Sequence, residues 1–147
     1  MHCTRFTLAI FPISFLLFGC TSLSVTPVSA SDVANLKHIC IKNNPLVKVT
    51  DFVQVLEHGL SRHGITSEVY QGMVPQHCEY TLSYTALRSW DITPYLSEAE
   101  LTLQHGSRQI AKANYHLKGK GGLSLTKWNS TKSKIDPVID QLLAHKS

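Results

Sequence analysis

The chain contains no stretch of about 20 consecutive apolar residues, the length that a membrane-spanning helix needs. It has no CxxC and no HxxxH spacing, so a compact zinc motif is missing. There is no G-x-S-x-G turn of the kind that presents a nucleophilic serine, and no GK[ST] to close a phosphate loop. Charged residues make up only 16% and the formal net charge is +4, so neither an acidic solvating tail nor a strongly basic nucleic-acid surface is indicated. Hydrophobic content of 43% is that of a folded domain, and 147 residues suggest one such domain. No internal repeat is present.

The N-terminus carries the most specific signal. Arg5 precedes an apolar run from Phe6 to Phe18, broken only by Thr7, Pro12 and Ser14. One positive charge and then an apolar region of about a dozen residues is the pattern of an export signal. The run ends in Leu17-Phe18-Gly19-Cys20. This resembles the lipobox of bacterial lipoproteins, with Leu17 three places before the cysteine and the small Gly19 directly before it. Phe18 is bulkier than the family usually carries there. The resemblance implies cleavage before Cys20 and acylation of its thiol. Two or more acyl chains make a stable anchor, so the domain itself needs no membrane-binding surface. Thr21, rather than Asp, follows the cysteine, which in such lipoproteins implies the periplasmic side of the outer membrane. An ordinary leader cut near Ala30 is the alternative. We therefore expect a signal peptide over 1–19, a lipidated cysteine and Ser/Thr-rich flexible tether over 20–33, and one globular domain over 34–147.

Cys3 leaves with the leader and Cys20 takes the lipid, which leaves Cys40 and Cys78 as a pair in an oxidising compartment. A disulfide is the economical expectation. The chain-entropy model values a loop of that length at roughly 4 kcal/mol. Free thiols are one alternative. A metal site formed by His38, Cys40, His77 and Cys78 is another, because imidazole and thiolate suit zinc or copper. Adjacent His77 and Cys78 would both ligate only from a loop, since neighbours on a strand point to opposite faces.

Hydrophobic periodicity gives the elements. Lys37 to Lys42 reads as a strand, ended by Asn43-Asn44-Pro45. Thr50 or Asp51 caps a helix whose stripe is Phe52, Val53, Leu56 and Leu60, and Gly64 suits its end. Ile65 to Tyr70 is a short strand beside the first. Tyr80, Leu82, Tyr84 and Ala86 share a strand face. So do Ala99, Leu101 and Leu103, and then Ala111, Ala113, Tyr115 and Leu117, with Gly106-Ser107 as a hairpin tip. Pro94 is read as a loop position. The last helix has Thr131 or Ser133 as cap, Pro137 in its first turn, and Ile135, Ile139, Leu142 and Leu143 as its stripe. The expected fold is α+β, a two-layer sandwich in the order β-α-β-β-β-β-α. About five mainly antiparallel strands are covered on one face by two helices. This layout is similar to small lipoproteins of the proteobacterial envelope, a resemblance that implies no catalytic residue.

Other candidate sites have plain alternatives. Lys118-Gly119-Lys120-Gly121-Gly122 is glycine-rich and basic, but Leu123 to Trp128 after it reads as a strand, so a turn is expected. Glu98 and Glu100 are expected to pair across a hairpin with Lys112 and His116. Of the aromatic residues, Trp90 beside Arg88 is expected to be partly exposed, where the pair could bind a protein partner; a tryptophan packed at the rim of the core is the alternative. The functional expectation is a membrane-anchored, periplasm-facing lipoprotein without enzymatic activity, cofactor or nucleic acid, acting as an adaptor for another envelope protein. Two alternatives remain, a carrier of a lipid or small apolar ligand and the metal-binding reading.

Overall fold

Three strands dominate the molecule because their apolar residues recur every second position. The computed structural model describes residues 21–121 and 125–144. In it β4 (Tyr80–Trp90), β5 (Pro94–His105) and β6 (Arg108–Leu117) form an antiparallel meander. Leu82 faces Leu103, and Leu101 lies between Tyr84 and Ala113, so the inward residues meet in rows. Gly106, at φ 58°, makes the tight turn between β5 and β6. On the outer face His116 lies 3.3 Å from Glu98, and the Lys112 ammonium 2.9 Å from Glu100, as expected.

β2 (His38–Lys42) runs parallel to β4, and β3 (Thr66–Tyr70) runs parallel to β2. Between β2 and β3 the chain crosses over through α2 (Phe52–Arg62). Asp51 is the N-cap residue of α2, and Gly64, at φ 71°, follows its C-cap His63. The helix buries Phe52, Val55, Leu56, Gly59 and Leu60. Beside it α3 (Thr131–Leu143) buries Ile135, Val138, Ile139, Leu142 and Leu143. Ala99, Ala111 and Ala113 keep the inner face of the sheet shallow where the helices dock. The result is the expected α+β sandwich, with a six-stranded mixed sheet in the order β1-β6-β5-β4-β2-β3.

β1 is the sixth strand and a correction. Thr21–Thr26 were expected to be flexible tether, but they pair antiparallel with β6, from Thr21 opposite Leu117 to Thr26 opposite Lys112. Leu23 and Val25 pack against the core, while Ser22, Ser24 and Thr26 point outward. Ser/Thr-rich composition concealed a short period-2 pattern of strand-favouring residues. Val28 is fully buried and donates its N–H to Leu142 O at 2.9 Å. A short helix α1 (Ala30–Asn35) follows, capped by Ser29, so the ordered fold begins well before residue 34.

Three local expectations also change. Pro94 opens β5 opposite Trp90, a strand-start position that needs no N–H. The cap of α3 is Ser130, whose Oγ accepts from Ser133 N, so Pro137 lies in the second turn rather than the first. The apolar stripe on either side of Pro137 holds it there despite the lost hydrogen bond. Leu125–Trp128 form a 3-10 turn instead of a strand, following another at Lys118–Gly121. The turn buries Lys127, which pairs with Asp91.

Candidate functional site

Of the residues singled out in the sequence, Cys20 lies outside the described residues. It is joined by one peptide bond to Thr21, the first residue of β1. No helix among the described residues is long and apolar enough to cross a membrane.

Cys40 and Cys78 are bonded as a disulfide with 5.9 Å between their Cα atoms. Cys40 sits on β2 between Glu68 of β3 and Thr81 of β4. Cys78 belongs to the loop that leads into β4. The bond ties that loop onto the open face of the sheet, where Tyr70 packs against both cysteines. Burial raises the Tyr70 hydroxyl above its usual titration range.

The four-residue metal set is therefore corrected, because the disulfide removes both thiolates as ligands. The two histidines do come together. His38 points outward from β2 and His77 reaches in from the loop, with ring centroids 6.3 Å apart. Between them is Glu68. Its Oε1 lies 2.5 Å from His77 Nε2 and 3.9 Å from His38 Nε2. The same oxygen is 3.3 Å and 3.4 Å from the two sulfurs. Glu68 could not be singled out beforehand, because the parallel β2–β3 register that sets it opposite Cys40 is not written in periodicity.

Trp90 is 72% exposed at the end of β4, and Arg88 is exposed two residues before it. A β-bulge between Leu87 and Arg88 shifts the register there. With Leu46, Lys48, Leu87 and Pro94 these residues line a groove of about 390 Å³. Leu46 is 83% exposed and Ile92 78%, so one end of the sheet carries several large apolar side chains in contact with water. Tyr80, Tyr84, Tyr95 and Tyr115 are buried, as their strand positions imply.

Lys134 is a buried cation that sequence reading passed over. Its Nζ donates to Leu96 O at 3.0 Å and to Lys127 O at 2.5 Å, and it lies over the Tyr95 ring. Burial pushes it below the usual lysine range. Both acceptors are backbone carbonyls, so the group fastens the 3-10 turn and α3 to β5 and needs no substrate to explain it. Two clefts of about 410 and 430 Å³ lie on the outer, polar side of the sheet around Lys42 and Ser83.

No family model and no curated protein matches the chain. Solved structures do. A PelC point-variant dodecamer from Paraburkholderia phytofirmans is similar at 18% identity, with a TM-score of 0.56, over 86% of this chain and 99% of that one. A PelC dodecamer from the same organism is similar at 12% identity, with a TM-score of 0.54, over 82% and 95%. At such identities the likeness is one of fold.

Proposed function

We propose that the chain is a lipid-anchored lipoprotein facing the periplasm at the outer membrane, a non-enzymatic module that assembles with further copies of itself. This reading puts a second copy of the chain in the place of the other envelope protein that the sequence led us to expect as partner. The observation that carries this reading is the exposed apolar end of the sheet around Leu46, Leu87, Trp90 and Ile92. Contiguous exposed apolar surface on a small domain marks a site of association, and a large aromatic residue is the usual energetic anchor. The fold's solved neighbours were obtained as dodecamers, which supports a second copy as the occupant. The carrier reading requires a cavity between helices and sheet, whereas the two larger clefts described above lie on the opposite face.

The test has two parts. Metabolic labelling with radioactive palmitate is expected to mark the wild-type chain and not Cys20→Ser. Mass photometry of the full chain in detergent is expected to show an oligomer that Trp90→Glu with Leu46→Lys dissociates. Unlabelled wild type would overturn the anchor. An oligomer indifferent to the double substitution would overturn this surface.

A further inference from the structure

Three lone-pair-bearing side chains converge beside the disulfide, and their hydrogen-bond accounting leaves a place for a cation. Thr66 Oγ1 has one hydrogen, and it is directed at Lys37 O, 3.1 Å away. The same oxygen lies 2.8 Å from His38 Nδ1, so it must accept there, and His38 carries its hydrogen on Nδ1. In the neutral ring Nε2 is then a bare lone pair, and it faces Glu68 Oε1 at 3.9 Å. The two sulfurs near Oε1 belong to the disulfide and have no hydrogen to give. His77 Nε2 is the third ligand atom; it donates a hydrogen bond to Glu68 Oε1 from the loop at 2.5 Å, and a bound metal would take the place of that shared hydrogen. The ligand atoms of His38, Glu68 and His77 all lie within 4.8 Å of one another.

We propose that His38, Glu68 and His77 form a binding site for a divalent late transition metal, Zn²⁺ or Cu²⁺, on the open face of the sheet. Two imidazoles and a carboxylate are the ligand types these ions favour. Metal–ligand bonds of about 2.0–2.2 Å place tetrahedral ligands about 3.4 Å apart. His38 approaches that separation by a small side-chain rotation. His77, which is 64% exposed in its loop, opens by under 1 Å. The hydrogen bond from His38 Nδ1 to Thr66 supplies the outer support that metal-bound histidines characteristically have, fixing the tautomer and ring plane. The disulfide contributes as well. It fastens Cys78, and with it the adjacent His77, against β2. Three protein ligands leave a fourth position open to water or to a donor from outside.

The experiment is calorimetric titration of ZnCl2, then CuSO4, into the full chain in detergent after stripping with a chelator. One ion per chain is expected. His77→Gln and Glu68→Gln are each expected to weaken uptake at least about tenfold, and Thr66→Val by roughly 10-fold through the outer support alone. His116→Gln, at the exposed Glu98 pair, is expected to leave uptake unchanged and serves as the surface-histidine control. Near-ultraviolet circular dichroism of each metal-free variant shows whether it has folded. His77 is exposed and outside every strand, so its variant is expected to fold normally even if Glu68→Gln does not. Absent uptake, or uptake equally strong in His77→Gln and wild type, overturns the site.

Discussion

Lys134 shows how one residue's environment becomes a measurable pH dependence. Its native proton affinity is lowered by burial, while the unfolded chain restores the ordinary value of 10.5. Between those two values the unfolded chain binds the extra proton, so stability contributed by this group rises with pH there. Tyr70 and Tyr115 act in the opposite direction, because burial raises both and their contribution falls as pH passes 10.0. Comparison with Lys134→Met isolates the lysine. Urea midpoints taken from pH 8 to pH 10 are expected to give wild type a relative gain over the variant, and parallel curves would contradict the assignment. At neutral pH the variant is expected to be less stable by about 1–3 kcal/mol, since two buried carbonyls lose their donor. Asp140 is the acidic counterpart. Partial burial raises it, but hydrogen bonds from His63 and Arg62 outweigh that and hold it below 3.8. Its contribution is therefore present above pH 3.8 and lost as pH falls through the lowered native value. Asp140 is half exposed, so Asp140→Asn is expected to cost only about 0.2–1 kcal/mol at pH 7, a difference that disappears in acid melts.

At the scale of elements, α2 and α3 meet at a glycine. A Cβ on Gly59 would stand 2.3 Å from Cδ1 of Ile139, and Ile139 is itself fully buried. Alanine favours a helix over glycine by about 1 kcal/mol, whereas overpacking a core costs about 1–3 kcal/mol. Gly59→Ala is therefore expected to lower the melting temperature, and a rise would mean that Ile139 can turn away without cost. The disulfide acts on a different unit. Cys40→Ser with Cys78→Ser is expected to cost roughly 2–5 kcal/mol. Faster amide exchange is expected in the loop between β3 and β4 and in β3 itself, with the β4–β6 meander retained. The meander was legible in sequence because Leu82, Leu101 and Ala113 each sit in a period-2 apolar row of their own strand among polar neighbours, and α2 because Phe52, Leu56 and Leu60 recur at helical spacing. β1 was not, since its two apolar residues sit among serines and threonines and gain meaning only beside β6. Glu68 was invisible for a related reason. A strand pattern states which face a residue takes, but not which residue of another strand it will meet. The pairing of Cys40 with Cys78 followed from arithmetic, and the exposure of Trp90 from its place beside Arg88 and Asp91 at the approach to a loop.

The register also fixes how the whole molecule would sit under an anchor on Cys20. Thr21 pairs with Leu117, and the next row runs from His116 through Glu98 to Leu87. The start of β1 and the end of β4 thus lie at the same end of the sheet, three strand spacings or roughly 14 Å apart. With no tether between Cys20 and β1, an acylated cysteine would hold Leu87 and Trp90 close to the bilayer rather than far into the periplasm. Such a constraint raises the effective concentration of neighbouring copies and limits their relative tilt. Photobleaching-step counts of lipidated protein on supported bilayers are therefore expected to show larger assemblies than mass photometry of Cys20→Ser at matched occupancy. The same geometry offers the apolar end a rival occupant, the membrane surface itself. Brominated lipids separate the two, using a Trp128→Phe background so that Trp90 alone reports. A Trp90 shielded by a second copy is expected to be quenched little in the assembled protein and no more in Cys20→Ser. Strong quenching that depends on Cys20 and persists in dilute monomers would assign this end of the sheet to the bilayer and remove it as the interface between copies.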